Sequence, residues 1–94
     1  MHSNPIDLTV YPNPAMMGSR PTVQYTIPVE DADDVAEVRV WNINGKDVST
    51  LLNDITTAGR HEVTFDGTEL PTGRYIVAVH LRTHQQSKML NLIR

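Results

Sequence analysis

Apolar and polar residues alternate along most of this 94-residue chain. The period of the alternation is two rather than the roughly 3.6 of an α-helix, and it predicts strands that bury one face of a sheet. The pattern is clear over residues 22–27, where Val23, Tyr25 and Ile27 fall on one face, and over residues 75–81. No segment predicts a helix of useful length.

Clusters of Gly, Pro, Asn and Asp separate the predicted strands at close spacing. The first strand, residues 8–11, must end at Pro12 and Pro14, because proline supplies no N–H to a sheet ladder and restricts the residue before it. About seven short strands in so short a chain are typical of an immunoglobulin-like fold. The sequence therefore predicts an all-β domain, an immunoglobulin-like antiparallel β-sandwich of about seven short strands.

Two of the connections carry more specific signals. Asn44-Gly45 predicts a hairpin with a type I′ turn between residues 36–43 and residues 46–52, because both turn residues tolerate a positive φ. Tyr75 begins a late core strand just after a corner that contains Pro and Gly. Its hydroxyl is expected to close that corner by a hydrogen bond to the backbone.

Length, cysteine count and charge limit what the domain can be. The chain is long enough for one domain, predicted over residues 6–94, and residues 1–5 are expected to be a disordered or added N-terminus. It has no cysteine, so no disulfide reinforces the small core. The last 25 residues carry four basic and no acidic side chains. This basic end is too sparse for nucleic-acid binding, but it is electrostatically distinct.

Candidate catalytic or ligand-binding residues are few. His80 and His84 share a face of a strand but offer two metal ligands without a third, so ordinary surface or half-buried histidines are the simpler interpretation. The acidic stretch at residues 30–34 lacks the spacing of a calcium loop and is predicted to be a solvated acidic loop. Trp41 is open to two interpretations, packing or contact with a ligand. With no nucleophile–base pair, phosphate loop or cofactor motif, the sequence predicts neither an enzyme nor a cofactor.

Five motifs follow one another in an order that resembles a known family. They are Tyr11-Pro12-Asn13-Pro14, residues 38–45, residues 58–61, residues 70–77 and residues 88–94. In this order the chain resembles, from about Ile6 to Arg94, the type-A C-terminal sorting domain of proteins exported by the type IX secretion system of Bacteroidetes and relatives. The immunoglobulin-like domain of flagellar hook-capping proteins is also similar. It usually carries a longer insert before its Gly-x-Tyr strand, so the short connection here favours the sorting domain.

The resemblance implies a C-terminal export signal rather than an enzyme. A cargo protein, absent from this chain, would cross the inner membrane by a separate signal and fold in the periplasm. The sorting domain would then direct it through the outer-membrane translocon to the cell surface or the medium. In this family a surface protease usually removes the domain, and the cargo is released or attached to lipopolysaccharide.

The resemblance also implies which residues recognise the translocon. They lie in the β-hairpin, in the Pro/Gly corner and in the final strand, and are Gly45, Leu70, Pro71, Gly73, Tyr75, Lys88, Leu90 and Arg94. The final strand is terminal, basic and a candidate sheet edge, so a partner could add to it through backbone hydrogen bonds. We expect Lys88 and Arg94 to contact the translocon. An exposed edge strand also leaves room for a weak dimer.

Two other functions remain compatible with the sequence. The main alternative is a passive immunoglobulin-like spacer or carbohydrate-binding accessory module of an extracellular enzyme. A glycan binder would be expected to expose several aromatic residues on one surface, and the chain has five in all, most of them assigned to the core. A small hydrolase is the third possibility, with no catalytic constellation behind it.

Overall fold

The computed structural model describes residues 5–68 and 70–94, which fold as a sandwich of two β-sheets. In these residues the strands are β1 (Thr9–Tyr11), β2 (Ala15–Met16), β3 (Thr22–Ile27), β4 (Val35–Asn42), β5 (Asp47–Ile55), β6 (Gly59–Thr64), β7 (Gly73–His80) and β8 (Gln85–Ile93). One sheet has the order β1-β3-β6, and the other has the order β2-β8-β7-β4-β5. The predicted all-β sandwich is confirmed, with eight strands rather than about seven.

Every second residue of the central strands enters the core, as the period-two pattern predicts. In β3 the buried residues are Val23, Tyr25 and Ile27, and β4 and β7 follow the same rule. Burying an aliphatic or aromatic side chain of this size contributes about 1.5–3 kcal/mol. Aliphatic packing between the sheets is therefore the main source of stability in a chain without disulfides.

The helical content of the described residues is a single 3₁₀ turn, Val29–Asp31, between β3 and β4. No helix in the described ranges has the length and apolar character needed to cross a membrane. Residues 1–5 are expected to be a disordered or added N-terminus, and residues 1–4 of this segment lie outside the described residues. Ile6 and Leu8, at the start of the predicted domain, are both buried in the core.

The β4–β5 hairpin forms where Asn44-Gly45 predicts it, but its turn is not type I′. Gly45 has a φ of +84°, whereas Asn44 does not have a positive φ. The Gly45 N–H donates to the Asn42 carbonyl oxygen over 2.9 Å, and Asn42 Oδ1 accepts from the N–H groups of Asn44 and Lys46 at 3.0 Å each. These side-chain bonds favour a type I turn followed by a left-handed glycine, so the predicted turn type is wrong.

One strand pair is an exception to the antiparallel arrangement. β2 runs parallel to β8, with Ala15 opposite Leu92 and Met16 opposite Ile93. After β1 the chain leaves the three-stranded sheet and contributes β2 to the edge of the five-stranded sheet. A strand of two residues is too short to show a periodicity, which explains why the sequence does not predict it.

Candidate functional site at one pole of the sandwich

Three segments that are far apart in sequence meet at one end of the sandwich. Asn42, which precedes the β4–β5 turn, pairs with Tyr75 near the start of β7. Gly73, at the start of β7, lies opposite Leu92 of β8. The pole formed in this way, here called the C-terminal pole, consists of residues 43–46, residues 70–74 and residues 91–94.

Tyr75 closes the corner before β7, as its position predicts. Its hydroxyl donates to the Pro71 carbonyl oxygen over 2.7 Å. The ring is buried and lies 6.2 Å from the ring of Phe65, measured between centroids. Burial raises the pKa of the Tyr75 hydroxyl above its ordinary value, so the group remains a hydrogen-bond donor over the whole physiological range.

Gly67 is a residue of this region that sequence reasoning missed. A Cβ at this position would lie 3.3 Å from Leu92 Cδ1 and 3.6 Å from the Ser19 carbonyl oxygen. The lack of a side chain therefore lets the segment after β6 pack directly against β8. Asp66-Gly67 is a turn signal in the sequence, but nothing local to it indicates which strand lies beneath.

The predicted recognition residues divide into a buried and an exposed group. Tyr75 and Leu90 are 3% and 0% exposed, and Leu70 is partly buried against the core. Their side chains pack inside the folded domain rather than face a partner. The exposed group is Gly45, Pro71, Gly73, Lys88 and Arg94. These residues are accessible to a partner while the domain remains folded.

The final strand is covered over its last residues rather than a free edge. Asn13 Nδ2 donates to the Met89 carbonyl oxygen over 2.7 Å, and the Asn91 N–H donates to Asn13 Oδ1 over 3.1 Å. The Met17 N–H donates to the Ile93 carbonyl oxygen. Asn13 and the β2 segment thus occupy the outer side of β8 at these positions. The expected strand addition to this edge would first require their displacement.

The C-terminal pole contains basic side chains that have no carboxylate partner among the described residues. Arg20 lies 3.8 Å from Asp66, and Arg39 lies 3.5 Å from Asp47. Among the described residues, no ion pair is formed by four other basic side chains, those of Lys46, Arg74, Lys88 and Arg94. Three of these four belong to the pole. Lys88 does not, because it lies opposite Val77 in the middle of β8.

The acidic stretch lies at the opposite pole, and one of its carboxylates is buried. Asp31 is 1% exposed. It accepts hydrogen bonds from the Thr83 N–H over 2.9 Å and from the Thr83 hydroxyl over 2.8 Å, and lies 2.9 Å from His84 Nδ1. Burial acts to raise the pKa of Asp31, but the bonds from His84 and Thr83 and the charge of His84 outweigh it, so the pKa lies below its ordinary value. The predicted solvated loop is therefore wrong for Asp31.

The two candidate metal-ligating histidines take different partners. His84 belongs to the Asp31 cluster, and its Nε2 also lies 3.9 Å from Glu30. His80 lies 4.0 Å from Glu37 on the outer face of the five-stranded sheet. Within residues 5–68 and 70–94, no three side chains of the metal-binding types are arranged to hold an ion.

The aromatic side chains form no shared binding surface. Tyr25, Phe65 and Tyr75 are buried. Tyr11 and Trp41 each alternate with a buried valine, so their side chains lie on the outer faces of the sheets, and the two residues belong to different sheets. The ring of Trp41 lies 6.1 Å from that of His80, which gives it a packing partner. This arrangement does not favour the glycan-binding alternative.

Comparison with protein families agrees with the architecture. The family model described as the secretion system C-terminal sorting domain matches residues 9–92, which extend from the first residue of β1 to the penultimate residue of β8. A search of curated proteins gives no significant match. Because the family model covers well over half of the sequence, this chain belongs to the C-terminal sorting domains of the type IX secretion system.

Proposed function

We propose that this domain directs a cargo protein through the outer membrane and that its C-terminal pole is the surface bound by the translocon. Membership of the sorting-domain family supports export to the cell surface or the medium. One observation carries the finer proposal. The β4–β5 turn, the corner before β7 and the end of β8, which the resemblance associates with recognition, converge at one pole.

Residues in and next to the C-terminal pole have two kinds of role in this proposal. Tyr75 and Leu90 are buried, and they hold the corner and the last strand in place. Arg74 and Arg94 are exposed and form no ion pair with a described carboxylate, so they are available to an acidic surface of the translocon. Complementary charge of this kind contributes mainly to the rate and specificity of association. Lys88 contributes to a separate contact on the flank of β8.

The remaining steps concern the cargo. A protein attached to the sorting domain crosses the inner membrane by its own signal and folds in the periplasm. After transport, a surface protease removes the sorting domain. Because the domain is folded before transport, the translocon has to bind a folded domain. Its recognition residues must therefore be exposed in the fold, as Arg74 and Arg94 are.

Export of a fusion protein tests the proposal. Residues 6–94 are fused to the C-terminus of a periplasm-targeted fluorescent protein in a bacterium that has the type IX system. We expect Arg74→Glu to leave most of the fluorescence in the periplasm. Arg60→Glu is the matched control, because Arg60 is also exposed but lies on the three-stranded sheet, 3.6 Å from Asp7. Melting curves of the two purified domains show whether both are folded.

The outcomes distinguish a failure of the sorting function from a wrong assignment of the side chains that contact the translocon. Retention of the unaltered, folded fusion in the periplasm would reject the sorting function itself. Normal export of the Lys88→Glu/Arg94→Glu variant would reject these two side chains as translocon contacts while leaving the sorting function in place. An equal loss of export in the Arg74→Glu and Arg60→Glu variants would indicate a general effect of charge rather than recognition at the pole.

A further inference from the structure

We propose that β5 is a docking edge for an extended, basic polypeptide segment, which adds to the five-stranded sheet as a further strand. The docking edge, residues 52–55, lies at the pole opposite to the C-terminal pole. The proposal goes beyond sorting, and it is tested on the isolated domain, without export.

The end of β5 is an open edge of regular geometry. β5 is nine residues long, and among the described strands it is terminal in its sheet and pairs only with β4. Its register with β4 is uninterrupted over residues 52–55, while the two irregularities lie nearer the β4–β5 turn. The strand contains no Lys, Arg or Pro, which are among the residues that commonly prevent an edge strand from pairing with another chain.

The hydrogen bonds of Thr56 show which backbone N–H and C=O groups at the end of β5 face β4 and which face outward. The Thr56 N–H donates to the Asp34 carbonyl oxygen, and the Asp33 N–H donates to the Thr56 carbonyl oxygen. Both backbone groups of Thr56 therefore face the β4 side. Because this direction alternates along an antiparallel strand, the N–H and C=O groups of Ile55 and Asn53 face outward. An added strand would find two residues with donors and acceptors in register.

Exposed apolar side chains lie next to these backbone groups. Ile55 is 62% exposed, and it lies directly opposite Val35, which is 54% exposed. Val29, 80% exposed, belongs to the loop that bonds to Thr56 through Asp33. A docked strand alternates its side chains, so one face of it can cover Ile55 while its backbone pairs with the edge.

The charges around the docking edge favour a basic occupant. Asp54 Oδ1 accepts the outward N–H of Ile55 over 2.8 Å, a contact that an added strand would replace. Asp33 and Glu30 lie in the adjoining loop, while Arg82 is paired with Asp34 at 2.8 Å. A segment that alternates apolar residues with Lys or Arg complements this arrangement, and an acidic segment is repelled by it.

Two synthetic peptides of about eight residues, the length of a strand, serve as probes with the purified domain. One alternates Lys and Val, and the matched control alternates Glu and Val. We expect the basic peptide to slow hydrogen exchange at the Asn53 and Ile55 amides, and the acidic peptide to leave it unchanged. Asp33→Lys/Asp54→Lys should weaken binding by about tenfold or more, as for charges at a complementary interface. Asp66→Lys, at the other end of the domain, should have little effect.

A substitution of the backbone donor separates strand addition from simple charge attraction. Asn53→Pro removes an outward N–H that β4 does not use, which an edge strand tolerates. Asn53→Ala retains this donor. We expect binding of the basic peptide to fall by about tenfold in the proline variant and to persist in the alanine variant.

Three results would overturn the proposal. Equal binding by the Asn53→Pro and Asn53→Ala variants would mean that the edge is not used. Protection that appears elsewhere than at residues 52–55 would assign the peptide to another surface. Protection of the Asn53 amide that rises with domain concentration, without any peptide, would identify a second copy of the chain as the occupant.

Discussion

The Tyr75 hydroxyl and the Pro71 carbonyl oxygen lie 2.7 Å apart, so a single hydrogen bond joins a core residue to the surface of the C-terminal pole. Tyr75 is buried, whereas Pro71 is exposed. The conformation of the exposed corner therefore depends on a side chain that no partner can contact. Changes to Tyr75 are expected to alter both the stability of the domain and the shape of its proposed recognition surface.

Replacement of Tyr75 by Phe isolates this hydrogen bond. The ring remains in the core, but the Pro71 carbonyl oxygen loses its donor, which should lower the free energy of unfolding by about 1 kcal/mol. Urea unfolding measures the change. Tyr11→Phe is the control, because Tyr11 is exposed, and it should leave the stability unaltered. Equal stabilities for Tyr75→Phe and the unaltered domain would show that the bond contributes nothing.

Replacement of Asp31 by Asn should be among the most damaging changes of a single polar group. The buried carboxylate accepts its bonds from Thr83 and His84, and loss of charge-assisted hydrogen bonds in a buried position costs about 2 kcal/mol. Chemical denaturation at neutral pH measures this difference. Asp33→Asn, an exposed change two residues along, is the control and should cost little.

The contribution of Asp31 should also depend on pH. Because its pKa is lowered in the folded state, the stabilisation is fully present above the ordinary Asp pKa of about 4 and is lost as the pH falls through the folded-state value. The stability difference between the unaltered domain and Asp31→Asn should therefore shrink below about pH 4. A difference that stays constant from neutral to strongly acidic pH would contradict this account.

The turn of the β4–β5 hairpin predicts opposite results at two neighbouring positions. Gly45 has a φ of +84°, so Gly45→Ala should destabilise the domain by about 1 kcal/mol. Asn44 does not have a positive φ, so Asn44→Ala should have a smaller effect. Thermal unfolding of the two variants measures both. Similar losses at both positions would instead indicate the type I′ turn.

Deletion of residues 88–94 should unfold the domain rather than remove only a recognition segment. The deletion takes Leu90 and Leu92 out of the core, and losing a buried leucine typically costs about 2–5 kcal/mol. Two such losses approach the total stability of a small domain, about 5–15 kcal/mol. Circular dichroism of the truncated chain should show no cooperative transition, whereas Lys88→Glu/Arg94→Glu should melt nearly as the unaltered domain does. A cooperative transition in the truncated chain would contradict this prediction.

Much of the fold could be predicted because it is encoded locally. The alternation in β3 identifies Val23, Tyr25 and Ile27 as core residues without knowledge of any other strand. Tyr75 could be assigned to a corner bond because the acceptor, Pro71, lies four residues away. In both cases the physical cause lies within a few residues of the position predicted.

The features that sequence reasoning missed depend on distant partners. Asp31 lies in a run of acids that resembles a solvated loop, and its donors come from a turn 52 residues later. Likewise, Asn13 bonds to β8 across a separation of 76 residues. The wrong turn type at the hairpin has a local cause. The Asn42 side chain stabilises a different turn from the one that Asn44-Gly45 alone favours.

The cover that Asn13 and β2 place on β8 joins the earliest described strands to the latest. β8 lies between β2 and β7, so the five-stranded sheet cannot be completed until the ribosome has added the last strand. A chain cut before residue 85 leaves Asn13 and β2 without the strand to which they bond. We infer that a sorting domain built in this way reports on its own completeness, because a polypeptide terminated before β8 lacks the strand that joins β2 to β7.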